Sequence, residues 1–111
     1  MQKPIVSRRA IFDLRATYYY MIKVGRSQAS AEAFVDDFYR QAELVGKFPE
    51  MRPLCSDPVL AASGLRSFPV ANNYLALYRV VGDEVYVWRV FHQASEYAKL
   101  ARIDLENDWS D

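Results

Sequence analysis

The sequence predicts an α+β domain: a helix hairpin packed on an antiparallel sheet, in the order β-α-α-β-β-β. Three features point there. From about Arg8 to Val45, apolar residues recur at three- and four-residue steps, the period of helices with one buried face. After Gly64 the pattern becomes three runs of strand type, "LRSFPV", "YLALYRV" and "EVYVWRVF", separated by turn residues. The chain has 111 residues, about half of them apolar, enough to bury the one core that a helix layer on a sheet requires.

The elements follow in order. Pro4, Ile5 and Val6 suggest a short first strand, with the proline confined to its edge or start. Ile11, Leu14, Tyr18 and Ile22 then mark one face of a first helix, and Gly25 is placed to end it. Ser27 can cap a second helix, whose stripe is Ala31, Phe34, Val35, Phe38, Ala42 and Val45, closed by Gly46 and Pro49. So short a linker makes the two helices an antiparallel hairpin. Phe48 to Ser63, with Pro49, Pro53 and Pro58, is expected to hold little regular structure beyond a turn. The three later strands form a meander, with Gly82-Asp83 as a two-residue turn. Asn72-Asn73 suits a two-residue turn of its own. A three-residue loop from Ala71 would reverse the face of everything before it. Beyond the meander, Ser95 can cap a helical turn. Tyr97, Leu100, Ile103, Leu105 and Trp109 can then cover apolar surface.

Composition narrows the function classes. A single cysteine, Cys55, excludes an internal disulfide framework and fits a reducing compartment. One histidine and one cysteine make a zinc site improbable, and no glycine-rich phosphate loop is present; no cofactor is expected. No apolar run reaches membrane-spanning length, and the N-terminal stretch lacks the pattern of a signal peptide, so a cytoplasmic protein is expected. Formal charge is zero, yet Ala101–Asp111 holds one arginine against four acids, a net −3 that leaves the rest at +3. A mildly basic body permits an anionic partner without requiring one. Asp36 and Asp37 read as part of a solvated helix face.

Strand alternation places the polar groups. With Gly82-Asp83 as the turn, Arg79 faces Tyr86 and Leu77 faces Trp88. Arg79 then shares a face with Leu75, Trp88, Val90 and His92, and Arg89 lies on the other. A two-residue Asn72-Asn73 turn adds Arg66 to Arg79 and His92. Two arginines and a histidine can hold phosphates and move a proton, a candidate site for RNA binding or cleavage. The bland alternative is a set of strand-end ion pairs and a strand-end hydrogen bonder.

The series "RRAIFDLRATYYYMI", "AEAFVDDFY", "PEMRPL", "GLRSFPV" and "YLALYRVVGDEVYVWRVFHQASEY" resembles the RelE/ParE superfamily of toxins from bacterial type II toxin–antitoxin modules. The likeness runs from about Ser7 to Leu100. Its most specific parts are Gly64-Leu65-Arg66, Tyr78-Arg79-Val80 with Gly82-Asp83, and Arg89-Val90-Phe91-His92. The resemblance implies a growth-inhibiting toxin neutralised by a cognate antitoxin. On this reading residues 1–100 are the toxin domain and 101–111 an acidic tail. A RelE-like member would be an mRNA endoribonuclease working on the ribosome, with Arg66, Arg79 and His92 as catalytic residues. A ParE-like member would poison DNA gyrase and need no nuclease site. The "RVFHQASEY" ending, and the absence of lysines before the second meander strand, favour the ParE-like branch. Arg89, Trp88, Tyr97 and Trp109 are then expected to meet a target or partner. A non-toxic binding module on the same fold is the third reading.

Overall fold

The computed structural model describes residues 3–25 and 27–107. Along them run β1 (Ile5–Val6), α1 (Arg8–Lys23), α2 (Gln28–Lys47), α3 (Pro58–Ala62), β2 (Arg66–Val70), β3 (Tyr74–Val81), β4 (Glu84–His92) and α4 (Tyr97–Asn107). The expected hairpin and meander are present. A short helix is added in the proline-rich connection, and the helical turn expected in the tail is the eleven-residue α4.

Ser7 starts α1. Its Oγ accepts the Ala10 N–H at 2.9 Å, satisfying a donor that the first helical turn leaves open. The same hydroxyl donates to the Trp88 carbonyl at 2.6 Å, and the Ser7 N–H reaches the Val87 carbonyl at 2.9 Å. One buried serine therefore ties the helix start to β4. Gly25 follows α1 with φ +89°, a left-handed conformation that glycine adopts without Cβ strain. Ser27 caps α2 through the Ser30 N–H at 3.1 Å.

The α2 stripe is buried as expected, with Ala31, Phe34, Phe38, Ala42 and Val45 inward. The α1 face is rotated. Ala10, Leu14 and Met21 are its buried residues, while Ile11 and Ile22 are exposed at its flank. The small Ala10 lets the helix approach closely, so the inward line passes through it rather than through the larger neighbour.

The sheet order is β1-β4-β3-β2. β1 is an edge strand, parallel to β4, and the other pairs are antiparallel. Gly82, at φ +62°, and Asp83 make the turn between β3 and β4. Between β2 and β3 the loop has three residues, since Val70 faces Tyr74; the expected two-residue asparagine turn does not form. Ala71 sits at φ +52° and its N–H is accepted by Asp37 Oδ2 at 2.6 Å. The other oxygen of Asp37 pairs with Arg40. Asp37 is thus no mere part of a solvated face: it pins the turn on which Arg66's side depends.

A second departure lies in β4. Arg79 faces Tyr86 as expected, and Tyr78 faces Val87, but Leu77 faces Arg89 rather than Trp88. One extra residue sits in β4, and such a bulge reverses side-chain direction beyond it. Val85, Val87 and Val90 therefore join Phe68, Tyr74 and Tyr78 beneath the hairpin. Leu75, Leu77, Trp88 and Phe91 form a second core on the opposite face.

That second face is covered by α3 and α4. Asp57 accepts the Leu60 N–H at 3.1 Å and Pro58 takes the first helical position, a sequence suited to starting α3. α4 begins at Tyr97, and Ser95 does not cap it in the expected way: its hydroxyl donates to the His92 carbonyl at 2.6 Å, closing the turn after β4. The inward side of α4 is Tyr97, Ala98, Ala101 and Leu105, whereas Leu100 and Ile103 face solvent. The boundary drawn between Leu100 and Ala101 falls inside this helix.

Candidate functional site

The three residues expected to converge do not. Arg66 pairs with Tyr78 across β2–β3 and so stands on the hairpin side. Arg79, alternating with Leu75 and Leu77, stands on the opposite face. His92 returns to the hairpin side because of the β4 bulge, but it faces Tyr74. It lies four residues along the sheet from Arg66's level, about 13 Å, and β3 separates their strands. The three-residue loop and the bulge, each a shift of one residue, together break the expected cluster.

Each has local partners. The Arg66 guanidinium donates to the Arg52 carbonyl at 2.5 Å, and Arg52 Nε donates to the Ser67 carbonyl at 3.3 Å. The Tyr78 hydroxyl donates to the Pro49 carbonyl at 2.8 Å. Burial pushes the Tyr78 phenol up, with Arg66 pulling the other way. His92 packs edge-on against Tyr74, with ring centroids 4.8 Å apart. Its Nδ1 accepts the Ala94 N–H at 2.9 Å, which engages that nitrogen in shaping the turn. These contacts suit strand-end structure better than proton transfer.

Arg89 is the most connected charged group. Its Nε and Nη2 meet the two Asp13 oxygens at 2.8 and 3.1 Å, and Asp13 also accepts the Val90 N–H at 2.9 Å. Its Nη1 pairs with Asp104, which also binds Arg9 at 3.1 Å. The guanidinium stacks over Phe91, 4.6 Å from the ring centre. Arg89, expected to meet a target, instead joins α1, β4 and α4. Trp88, expected to do the same, is buried under α4. Tyr97 is half-buried against Phe91, ring centroids 6.2 Å apart. Trp109 lies outside the described residues. Asp13, Asp57 and Asp104 were not singled out from sequence. The available signal was an acid beside a buried stripe position, Asp13 next to Leu14.

Among the described residues, the two most exposed large apolar side chains lie on α1. Phe12 and Tyr19 are 68% and 62% exposed, with Ile11 and Tyr39 beside them. A groove of about 340 Å³ runs between Arg8, Ile11, Phe12, Arg15 and Tyr19. Aromatic bodies rimmed by arginines are the usual composition of a protein-contact patch. The sequence gives no sign of it as a site, because the helical spacing places Ile11 on the buried stripe.

Comparison with known proteins bears on this geometry. Residues 5–97 match the family profile described as the ParE toxin of the type II toxin–antitoxin system parDE. This chain belongs to the ParE toxin family. Among solved structures, one described as the chromosomal ParDE TA system from P. aeruginosa has the same fold, with a TM-score of 0.67 at 22% identity. The match covers 83% of this chain and 96% of that one. A search of curated proteins finds no match. In this ParE-family chain the matched span takes in the hairpin, the sheet and the first residue of α4. Among the described residues no helix is long and apolar enough to cross a membrane.

Proposed function

We propose that this ParE-family chain is a cytoplasmic toxin that arrests growth by binding DNA gyrase and is held inactive by a cognate antitoxin. The observation that carries the target half of this reading is the dispersal of Arg66, Arg79 and His92. A nuclease must bring its phosphate-binding and proton-moving groups to one scissile bond, whereas a protein-binding poison needs a contact surface instead. The antitoxin half rests on the family and on the hairpin patch. Phe12 and Tyr19, interleaved with Arg8 and Arg15 along α1, suit an amphipathic segment with acidic flanks.

One grouping favours the alternative, an mRNA endoribonuclease acting on the ribosome. Arg66, Arg52 and the Tyr78 hydroxyl lie close together at one end of the sheet. Expression of the full chain, alone and with the antitoxin, separates the readings. The gyrase reading expects growth arrest with gyrase-linked DNA breaks and intact mRNA, relieved by the antitoxin. Codon-dependent mRNA cleavage that disappears on Arg66→Ala would establish the alternative. Harmless overexpression would favour a binding module without toxicity. Phe12→Glu is expected to leave arrest in place and weaken relief by the antitoxin about tenfold or more, since it puts charge in an apolar contact.

A further inference from the structure

The apolar face carrying Leu75, Leu77, Trp88 and Phe91 lies within the matched family span, but α4 from Ala98 onward lies beyond it. The way α4 is attached is read from this chain's own contacts. Its inward surface is small: two alanines, with Tyr97 and Leu105 only half-buried. Its larger apolar residues, Leu100 and Ile103, point outward at 47% and 48% exposure. An eleven-residue helix is too short to persist alone in water. What fixes α4 in addition is ionic, namely Asp104 with Arg89 and Arg9, and Arg102 with Asp57.

These ion pairs are arranged asymmetrically. If α4 departs, Arg89 keeps both Asp13 oxygens, and the Val90 N–H keeps Asp13 as well. Asp57 keeps the Leu60 N–H that it caps. These buried groups stay paired, and Arg9, which also loses Asp104, has a side chain open to solvent, so departure avoids the large penalty of stranding a buried charge. The connection, residues 93–96, is exposed throughout. We propose that α4 is a strap that opens as a unit about residues 93–96, uncovering the Trp88–Phe91 face while the hairpin side stays closed. This does not depend on the gyrase reading.

The chain carries its own reporter. Cys55 is its one cysteine and is buried in the same cluster as Ala101. The rate at which a maleimide modifies Cys55 in the native full chain reads the opening. Asp104→Asn is expected to raise that rate roughly tenfold, as loss of two partly buried ion pairs implies for a local opening. Added sodium chloride should raise the parent's rate in the same direction. Asp37→Asn, which loosens the β2–β3 turn on the other side, should leave it unchanged. Equal rates for Asp104→Asn and parent would overturn the strap. So would an acceleration by Asp37→Asn as large as that by Asp104→Asn, because Cys55 would then report global unfolding. If Asp104→Asn fails to fold, Arg102→Gln on the solvent flank of α4 gives the same comparison, with a smaller rise expected and an unchanged rate counting against the strap.

Discussion

The hairpin side of the sheet is closed by interlocking rings, whereas on the opposite side α4 is held largely by charge. Phe34 meets Tyr74 and Phe38 meets Phe68, with centroids 4.8 and 5.9 Å apart. Phe68 in turn meets Tyr78 at 5.8 Å. Across the sheet, α4 contributes alanines and is held by Asp104 and Arg102. Apolar packing is not screened by salt and is costly to open, while ion pairs at a partly wet surface weaken with ionic strength. On the proposal above, one sheet carries a permanent layer and a conditional one.

The strongest way to test that contrast is on the permanent side. Phe38→Ala should cost about 3–5 kcal/mol in denaturant unfolding, the usual price of a large cavity, with little salt dependence. On the conditional side, Arg89→Met should cost about 3 kcal/mol, because it leaves Asp13 without its cation. Combining it with Asp13→Leu should recover part of that loss. If the double variant is the sum of the singles, Arg89 and Asp13 do not act as a pair. Ser7→Ala removes the α1 cap and a bond to β4, and about 1–2 kcal/mol should go with it. Ala71→Gly should stabilise by about 0.5–1 kcal/mol, since glycine accepts the left-handed backbone that alanine resists.

The smallest expected effect is at alkaline pH. Burial pushes the Cys55 thiol and the Tyr78 phenol above their ordinary values of 9.0 and 10.0. A group whose value is raised on folding stabilises fully below its unfolded value and loses that contribution as pH rises through the folded one. Melting temperature should therefore fall above about pH 9, and Cys55→Ser should remove the earlier part of the fall.

Much of the fold was legible in the sequence, because long periodic segments state their own geometry. The α2 stripe and the three meander strands followed directly from spacing. What was hidden turned on single residues. The bulge at Trp88 leaves no mark in an uninterrupted β-type run, yet it moves Val90 and His92 to the other face. The β2–β3 loop contains two adjacent asparagines, but the residue in the left-handed conformation is Ala71, held there by Asp37 from a different element. α3 was masked by prolines, although Asp57-Pro58 is a good helix start. The candidate site suffered most, because a shared face is a claim about register, and two registers were each off by one. Arg89 was visible as a distinctive arginine. Its partners on α1 and α4 were not, since tertiary proximity of Asp13 and Asp104 has no local signature.

As proposed, this ParE-family chain acts through a binding surface and not through Arg66, Arg79 and His92 as a nuclease site. The direct measurement is DNA supercoiling by purified gyrase in the presence of the purified chain, run beside translation of a reporter mRNA. The expected result is inhibited supercoiling, intact mRNA, and the same inhibition from His92→Ala. Unimpaired supercoiling together with ribosome-dependent mRNA cleavage that His92→Ala or Arg79→Ala abolishes would contradict it.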